Sequence, residues 1–223
     1  MKYLKYISVF ILSLFLLSGC ELSDVEEFKG TITGVIFDTN QKIVPSDIMS
    51  NTLIVKVLGE GDITPITIRV KGDGTYQNTN LFPKKHKAWI EGPIIPIDTF
   101  EVDLTGKQHV EKDITVIPYI SISNEIVNAP LANSVKVKYA ITANTSAAAI
   151  KREIYCSTLK YPTSSSGSGP FYSSVKATIT NNQGEITLSG LVSNTKYFIR
   201  IGANVNGKSM NYSPQLEIST PSN

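Results

Sequence analysis

From residue 28 onward, apolar side chains recur at every second position, and the three-and-four spacing of an amphipathic helix is nearly absent. A chain patterned this way reads as strands with one face turned to a core and the other to water. In the first half the strands fall at Thr31 to Phe37, Thr52 to Leu58, Ile66 to Val70, Thr75 to Gln77, Lys84 to Glu91, Thr99 to Leu104 and Val110 to Ile117. Leu53, Val55 and Val57 share one face of the second of these. Asp73-Gly74 supplies the positive-φ positions of a tight hairpin, and Thr105-Gly106-Lys107 makes another turn. In the second half Val135, Val137, Tyr139 and Ile141 alternate with polar residues. Ile150 to Ser157, Phe171 to Ile179, Glu185 to Leu188, Tyr197 to Val205 and Leu216 to Ile218 follow. Asn206-Gly207 closes a hairpin, and the serine-glycine run Thr163 to Pro170 reads as a mobile surface loop. The fold class is all-β.

Two halves emerge, 29–118 and 119–220, joined at Ile117-Pro118-Tyr119. Gly30 to Asp38, together with Gly72-Asp73-Gly74-Thr75-Tyr76 and Leu81-Phe82-Pro83, resembles a prealbumin-like or carboxypeptidase-regulatory-like β-sandwich. Leu188 through Tyr197 resembles the tyrosine corner of fibronectin type III domains. That resemblance implies a second β-sandwich in which the Tyr197 hydroxyl pins a crossover to the turn before it.

The start of the chain is built differently. Lys2 and Lys5 precede an apolar run from Ile7 to Leu17, then small Ser18 and Gly19, then Cys20. This order resembles the signal and lipobox of a bacterial lipoprotein, which implies a signal peptide over 1–19 and acylation of Cys20. The apolar run is shorter than the ~20 residues that span a bilayer. Residues 20–28 then form a tether, with four carboxylates between Glu21 and Glu27. It resembles the acidic tether of Bacteroidota lipoproteins displayed on the outer face of the outer membrane; a plain solvated linker has the same composition.

Removing Lys2 and Lys5 leaves 19 cations against 19 anions, so nothing in the charge calls for a nucleic acid. With Cys20 acylated, Cys156 stands alone and no internal disulfide can form; its apolar strand suggests a buried, inert thiol. The two histidines, His86 and His109, have no nucleophile motif beside them, and His86 among lysines reads as a surface residue. Carboxylates such as Glu91 and Asp98 would need a deep cleft to act as a pair. No catalytic residue, metal site or cofactor is implied, and the expectation is a protein that is not an enzyme.

Binding candidates are few. Trp89, the single tryptophan, shares parity with Lys85, Lys87 and Glu91, so period two puts it on the charged face of its strand. There it could stack on a sugar, lie under lysine stems, or be covered between the two halves. Tyr161, Phe171 and Tyr172 flank the serine-glycine run, and Tyr212 follows Asn211; these aromatics could form a platform or fill a core. Pro93, Ile94, Ile95 and Pro96 form an apolar loop expected to dock on the second half or on a partner protein.

The mature chain, through the lipobox, Thr31 to Gly34, Gly72 to Thr79, Glu91 to Asp98 and Tyr197 to Ala203, resembles a family of two-domain Bacteroidota lipoproteins of unknown function. Their genes lie beside starch-utilisation-type outer-membrane transporters. The resemblance implies a non-catalytic lipoprotein anchored to the outer membrane and facing the exterior. Its expected partners are a polysaccharide or oligosaccharide, a transporter complex, and the bilayer through Cys20. A structural spacer or adhesin-like subunit is the alternative, and an accessory domain pair that lost its enzyme is a third.

Overall fold

The computed structural model describes residues 27–47, 49–50, 52–164 and 174–222, without the side chain of Ile150. Cys20, the signal segment, most of the tether, Phe171, Tyr172 and most of the serine-glycine run lie outside the described residues. What is described is all-β. The first half contains β1 (Gly30–Asp38), β2 (Ile54–Gly59), β3 (Ile66–Arg69), β4 (Thr75–Leu81), β5 (Lys85–Glu91), β6 (Phe100–Asp103), β7 (His109–Glu111) and β8 (Ile114–Val116). The second half contains β9 (Ile120–Ile126), β10 (Ser134–Ala143), β11 (Ala149–Ser157), β12 (Ser174–Thr178), β13 (Gln183–Ser189), β14 (Lys196–Val205), β15 (Asn211–Tyr212) and β16 (Leu216–Ser219).

In the first half, β4-β1-β7, with β8 also on β1, forms one sheet and β3-β2-β5-β6 the other. Ile32 and Ile36 of β1, Tyr76 and Leu81 of β4, and Ile114 and Val116 of β8 pack into one core with Val55, Val57, Ile68, Ala88 and Val102 of the facing sheet. The Asp73-Gly74 turn forms as its residue types require: Gly74 has φ 78°, and Asp73 Oδ1 accepts from the Thr75 N–H at 3.0 Å. Tyr76 then points inward and its hydroxyl donates to the Lys112 carbonyl. Those two groups cross directly over Gly34. A Cβ there would lie 2.1 Å from the Lys112 oxygen, so the backbone can approach only because Gly34 has no side chain.

In the second half, β13-β10-β9 faces β12-β11-β14-β15, with β16 also on β14. Val135, Val137, Tyr139 and Ile141 of β10 meet Ile154 and Cys156 of β11 and Ile199, Ile201 and Ala203 of β14 in a separate core. Tyr197 is fully buried, and its hydroxyl accepts the Val192 N–H at 3.0 Å. Cys156 is buried, and its apolar surroundings push its thiol up to about 12.

Candidate functional site

Strand β5 sets the geometry of the first region of interest. Its burial alternates, so Ala88 and Ile90 face the core while Lys85, Lys87, Trp89 and Glu91 face outward. His86 goes inward with the first set and is 2 % exposed, which corrects its reading as a surface residue: parity along the strand outweighs its lysine neighbours. The His86 Nε2 lies 3.0 Å from the Phe82 carbonyl.

Trp89 is half-buried on the open face of the β3-β2-β5-β6 sheet. Pairing puts Lys56 directly across from it, with Ile54 opposite Glu91 and Leu58 opposite Lys87. The indole N–H donates to Glu91 Oε1 at 2.8 Å, and Lys56 Nζ reaches Glu91 Oε2 at 3.2 Å. The indole N–H foremost, with Lys56, holds the Glu91 carboxyl below its ordinary value. Glu91 thereby fixes the indole from one edge, leaving a flat apolar ring among the half-buried Ile54, Lys56 and Leu58. On the same sheet, a hollow of about 530 Å³ is lined by Leu58, Lys87 and Glu101 and closed by the Gly59 to Asp62 turn. A rigid ring beside an open hollow can take the C–H face of a sugar while the flanking charges bond to its hydroxyls.

The other sequence candidates go elsewhere. Tyr212, 4 % exposed, belongs to a small buried cluster with Tyr155 and Met210, so it offers no open ring to a ligand. Alternation along β14 turns Arg200 away from the second core, and the first sandwich covers it there. Its guanidinium carbon lies 4.6 Å from the Tyr212 ring centre, Nε donates to the Ser213 carbonyl at 3.2 Å, and Nη1 to the Ser46 carbonyl at 3.3 Å. Burial pulls the Arg200 guanidinium down to about 10. Tyr161, with φ 55°, is half-buried; a Cβ placed on Gly72 of the first sandwich would meet its Cγ at 2.3 Å. Both tyrosines are therefore committed to the junction between the sandwiches. Phe171 and Tyr172 lie outside the described residues.

The proline loop is also committed. Pro93 and Ile94 are buried, Ile95 is half-buried, and Pro96 is exposed. Ile94 bridges to Pro118, Ile95 N–H donates to the Ile117 carbonyl at 2.8 Å, and Tyr119 N–H donates to the Pro93 carbonyl at 2.9 Å. Asn211, buried in the second half, donates through Nδ2 to the Pro93 carbonyl and accepts the Ile120 N–H through Oδ1, each at 3.0 Å. The apolar loop is covered by its own chain, so Pro93 and Ile94 are not free to meet a partner protein. A cleft of about 190 Å³ opens at the same junction, between Lys42 and Ile43 on one side and Ser121, Ser123 and Thr142 on the other.

Arg200, Ser46 and Asn211 were not singled out by their sequence context. The available signal was Phe198 and Gly202, apolar residues sharing a face with Arg200 on a strand whose other face fills a core.

Fold and junction together define a class: two β-sandwiches in series, joined by a loop and a buried arginine into one body. Residues 30–117 match the family model described as protein of unknown function (DUF3823), N-terminal domain. No curated protein matches the sequence. Among solved structures the fold is similar to a DUF3823 family protein from Bacteroides ovatus, with a TM-score of 0.69 at 18% identity, covering 86% of this chain and 98% of that one. A DUF3823 family protein from Parabacteroides merdae gives 0.68 at 17% identity, covering 85% and 98%. A Bacteroides uniformis protein described as a "putative carbohydrate binding protein" gives 0.63 at 22% identity, covering 86% and 99%.

Proposed function

We propose that this chain is a non-catalytic, lipid-anchored protein of the outer-membrane exterior that holds a polysaccharide beside a starch-utilisation-type transporter. The observation that carries the glycan reading is the Trp89 ring, pinned through its N–H to Glu91 on an open sheet face next to a hollow of about 530 Å³. The carbohydrate-binding description of the Bacteroides uniformis neighbour supports the same reading. The charged, apolar, small, Cys order of residues 2–20 supports anchoring. The strand order of the second sandwich and the Val192 to Tyr197 bond support its likeness to fibronectin type III. A spacer docking on a transporter through Pro93 and Ile94 has less support, because that loop lies inside the molecule.

Affinity electrophoresis through a panel of neutral and acidic polysaccharides tests the reading. At least one polysaccharide retards the wild-type chain, and Trp89→Ala weakens that retardation by about tenfold or more, as for a central aromatic contact. Free migration through every gel in the panel would refute it.

A further inference from the structure

The end of the first sandwich farthest from the second is built around the point where the tether arrives. Gly30 opens β1 opposite Leu81, the last residue of β4. Just before it, Phe28 stacks on Phe82 with ring centres 4.3 Å apart. Lys84 links that stack to the next loop: its Nζ lies 5.4 Å from the Phe82 ring centre, 2.8 Å from Asp62 Oδ1 and 3.1 Å from the Glu60 carbonyl. At the tip of this loop Ile63 is 96 % exposed, and Phe28 is 57 % exposed. Three ion pairs lie around them, Lys84 with Asp62, Lys85 with Glu101 and Lys29 with Glu27. An isoleucine so fully in water is stabilised by nothing in its own fold.

The chain outside the structure says what covers it. Residues 21–27 are all that separate Cys20 from Phe28. At ~3.3–3.6 Å per residue, a tether of that length reaches no more than about 29 Å even when fully extended. An acylated Cys20 therefore keeps this end of the first sandwich within that distance of the lipid surface. From these contacts we infer that Phe28 and Ile63 form a bilayer-docking tip, dipping into the interfacial layer beside the acyl anchor. The contact adds a protein-borne apolar attachment to that of the acyl chains. It also orients the molecule: the first sandwich stands next to the membrane and the second farther out. This inference rests on the anchoring part of the proposed function and is independent of its glycan part.

The test uses the full acylated chain, carrying a fluorophore at Ile63→Cys or at Val192→Cys. Val192 lies in the turn after β13, at the end of the second sandwich away from the linker, and the native Cys156 is buried. The protein is placed in phosphatidylethanolamine–phosphatidylglycerol vesicles with and without lipids brominated near the headgroup. Bromolipid is expected to quench the label at 63 by about twofold or more, as for a side chain seated 5–10 Å into the interface, and to leave the label at 192 unchanged. If the chain floats with vesicles and the two labels respond alike, the docking tip is refuted while anchoring stands. A blue shift at 63 without quenching places it against a second copy of the chain and also overturns the proposal. Unmodified Cys20 by mass spectrometry, with no flotation, removes anchoring and the docking tip together. Polysaccharide retardation is read separately and is unaffected by any of these results.

Discussion

Arg200 offers the sharpest test of how the two sandwiches hold together. Its side chain is completely buried, yet one of its nitrogens, Nη2, has no acceptor. The fall of its pKa to about 10 corresponds to about 3 kcal/mol against the charged form from burial, before its hydrogen bonds are counted. In the other direction, hydrogen bonds to a charged group contribute about 1.5–3 kcal/mol each, and Arg200 makes one to Ser46 and one to Ser213. The two effects nearly cancel, so deletion and replacement should differ. Arg200→Ala leaves both carbonyls and the Tyr212 ring facing a void and should cost about 3–5 kcal/mol. Arg200→Met keeps an apolar stem in the junction while removing the charge and its unpaired nitrogen. It should lie within about 1.5 kcal/mol of wild type. Urea unfolding followed through Trp89 fluorescence for the first sandwich, and through near-ultraviolet circular dichroism for the tyrosines of both, measures each variant. A cost for Met as large as that for Ala would refute this balance. The burial of Arg200 in the junction is wrong if Ala costs under about 1 kcal/mol.

Tyr197→Phe keeps the buried ring but strands the Val192 N–H, so it should cost about 1–3 kcal/mol and lower Tm by several degrees in a calorimetric scan. Gly72→Ala drives a methyl into Tyr161 and should cost about 1–3 kcal/mol. Combined with Tyr161→Ala it should cost less than the sum of the two single changes, which a double-mutant cycle reads directly. For Glu153, burial alone would raise its pKa, but bonds from Lys176, Tyr155 and Lys151 outweigh it and leave the carboxyl below its ordinary 4.5. A carboxyl lowered by folding stabilises the native state above its unfolded value, and that contribution fades as pH falls below 4.5 through the folded value. The Tm advantage of wild type over Glu153→Gln should therefore be present at pH 6 and shrink towards pH 3.

Much of the first sandwich was legible because alternation and turn chemistry agree there. Asp73-Gly74 closes the β3–β4 corner, and Lys85, Lys87 and Trp89 share the outward face that parity assigns. Val110 to Ile117 reads as one strand but is two, since Lys112 and Asp113 leave the ladder: the Lys112 N–H donates to the Thr33 carbonyl and Asp113 takes the Val35 N–H. β9 escaped notice because Ser and Asn dilute its apolar residues, and β15 because two residues carry no period. The junction was the least legible part. Alternation turns Arg200 outward correctly, but what covers it is Ser46, 154 residues away in sequence, and a period-two pattern holds no information about such distant docking. For the same reason the proline loop announced that something covers it without naming Pro118 and Asn211.

The way the chain enters and leaves the first sandwich has a mechanical consequence. It enters along β1 from the tether and leaves along β8 towards the second sandwich, and these two strands run parallel, with Ile36, Phe37 and Asp38 beside Ile114, Thr115 and Val116. Tension between the two ends of the molecule pulls β1 one way and β8 the other along their common axis. The rungs between them are then loaded side by side and must fail together, whereas a hairpin pulled open at one end peels a bond at a time. Under load, this sandwich is a clasp rather than a zipper.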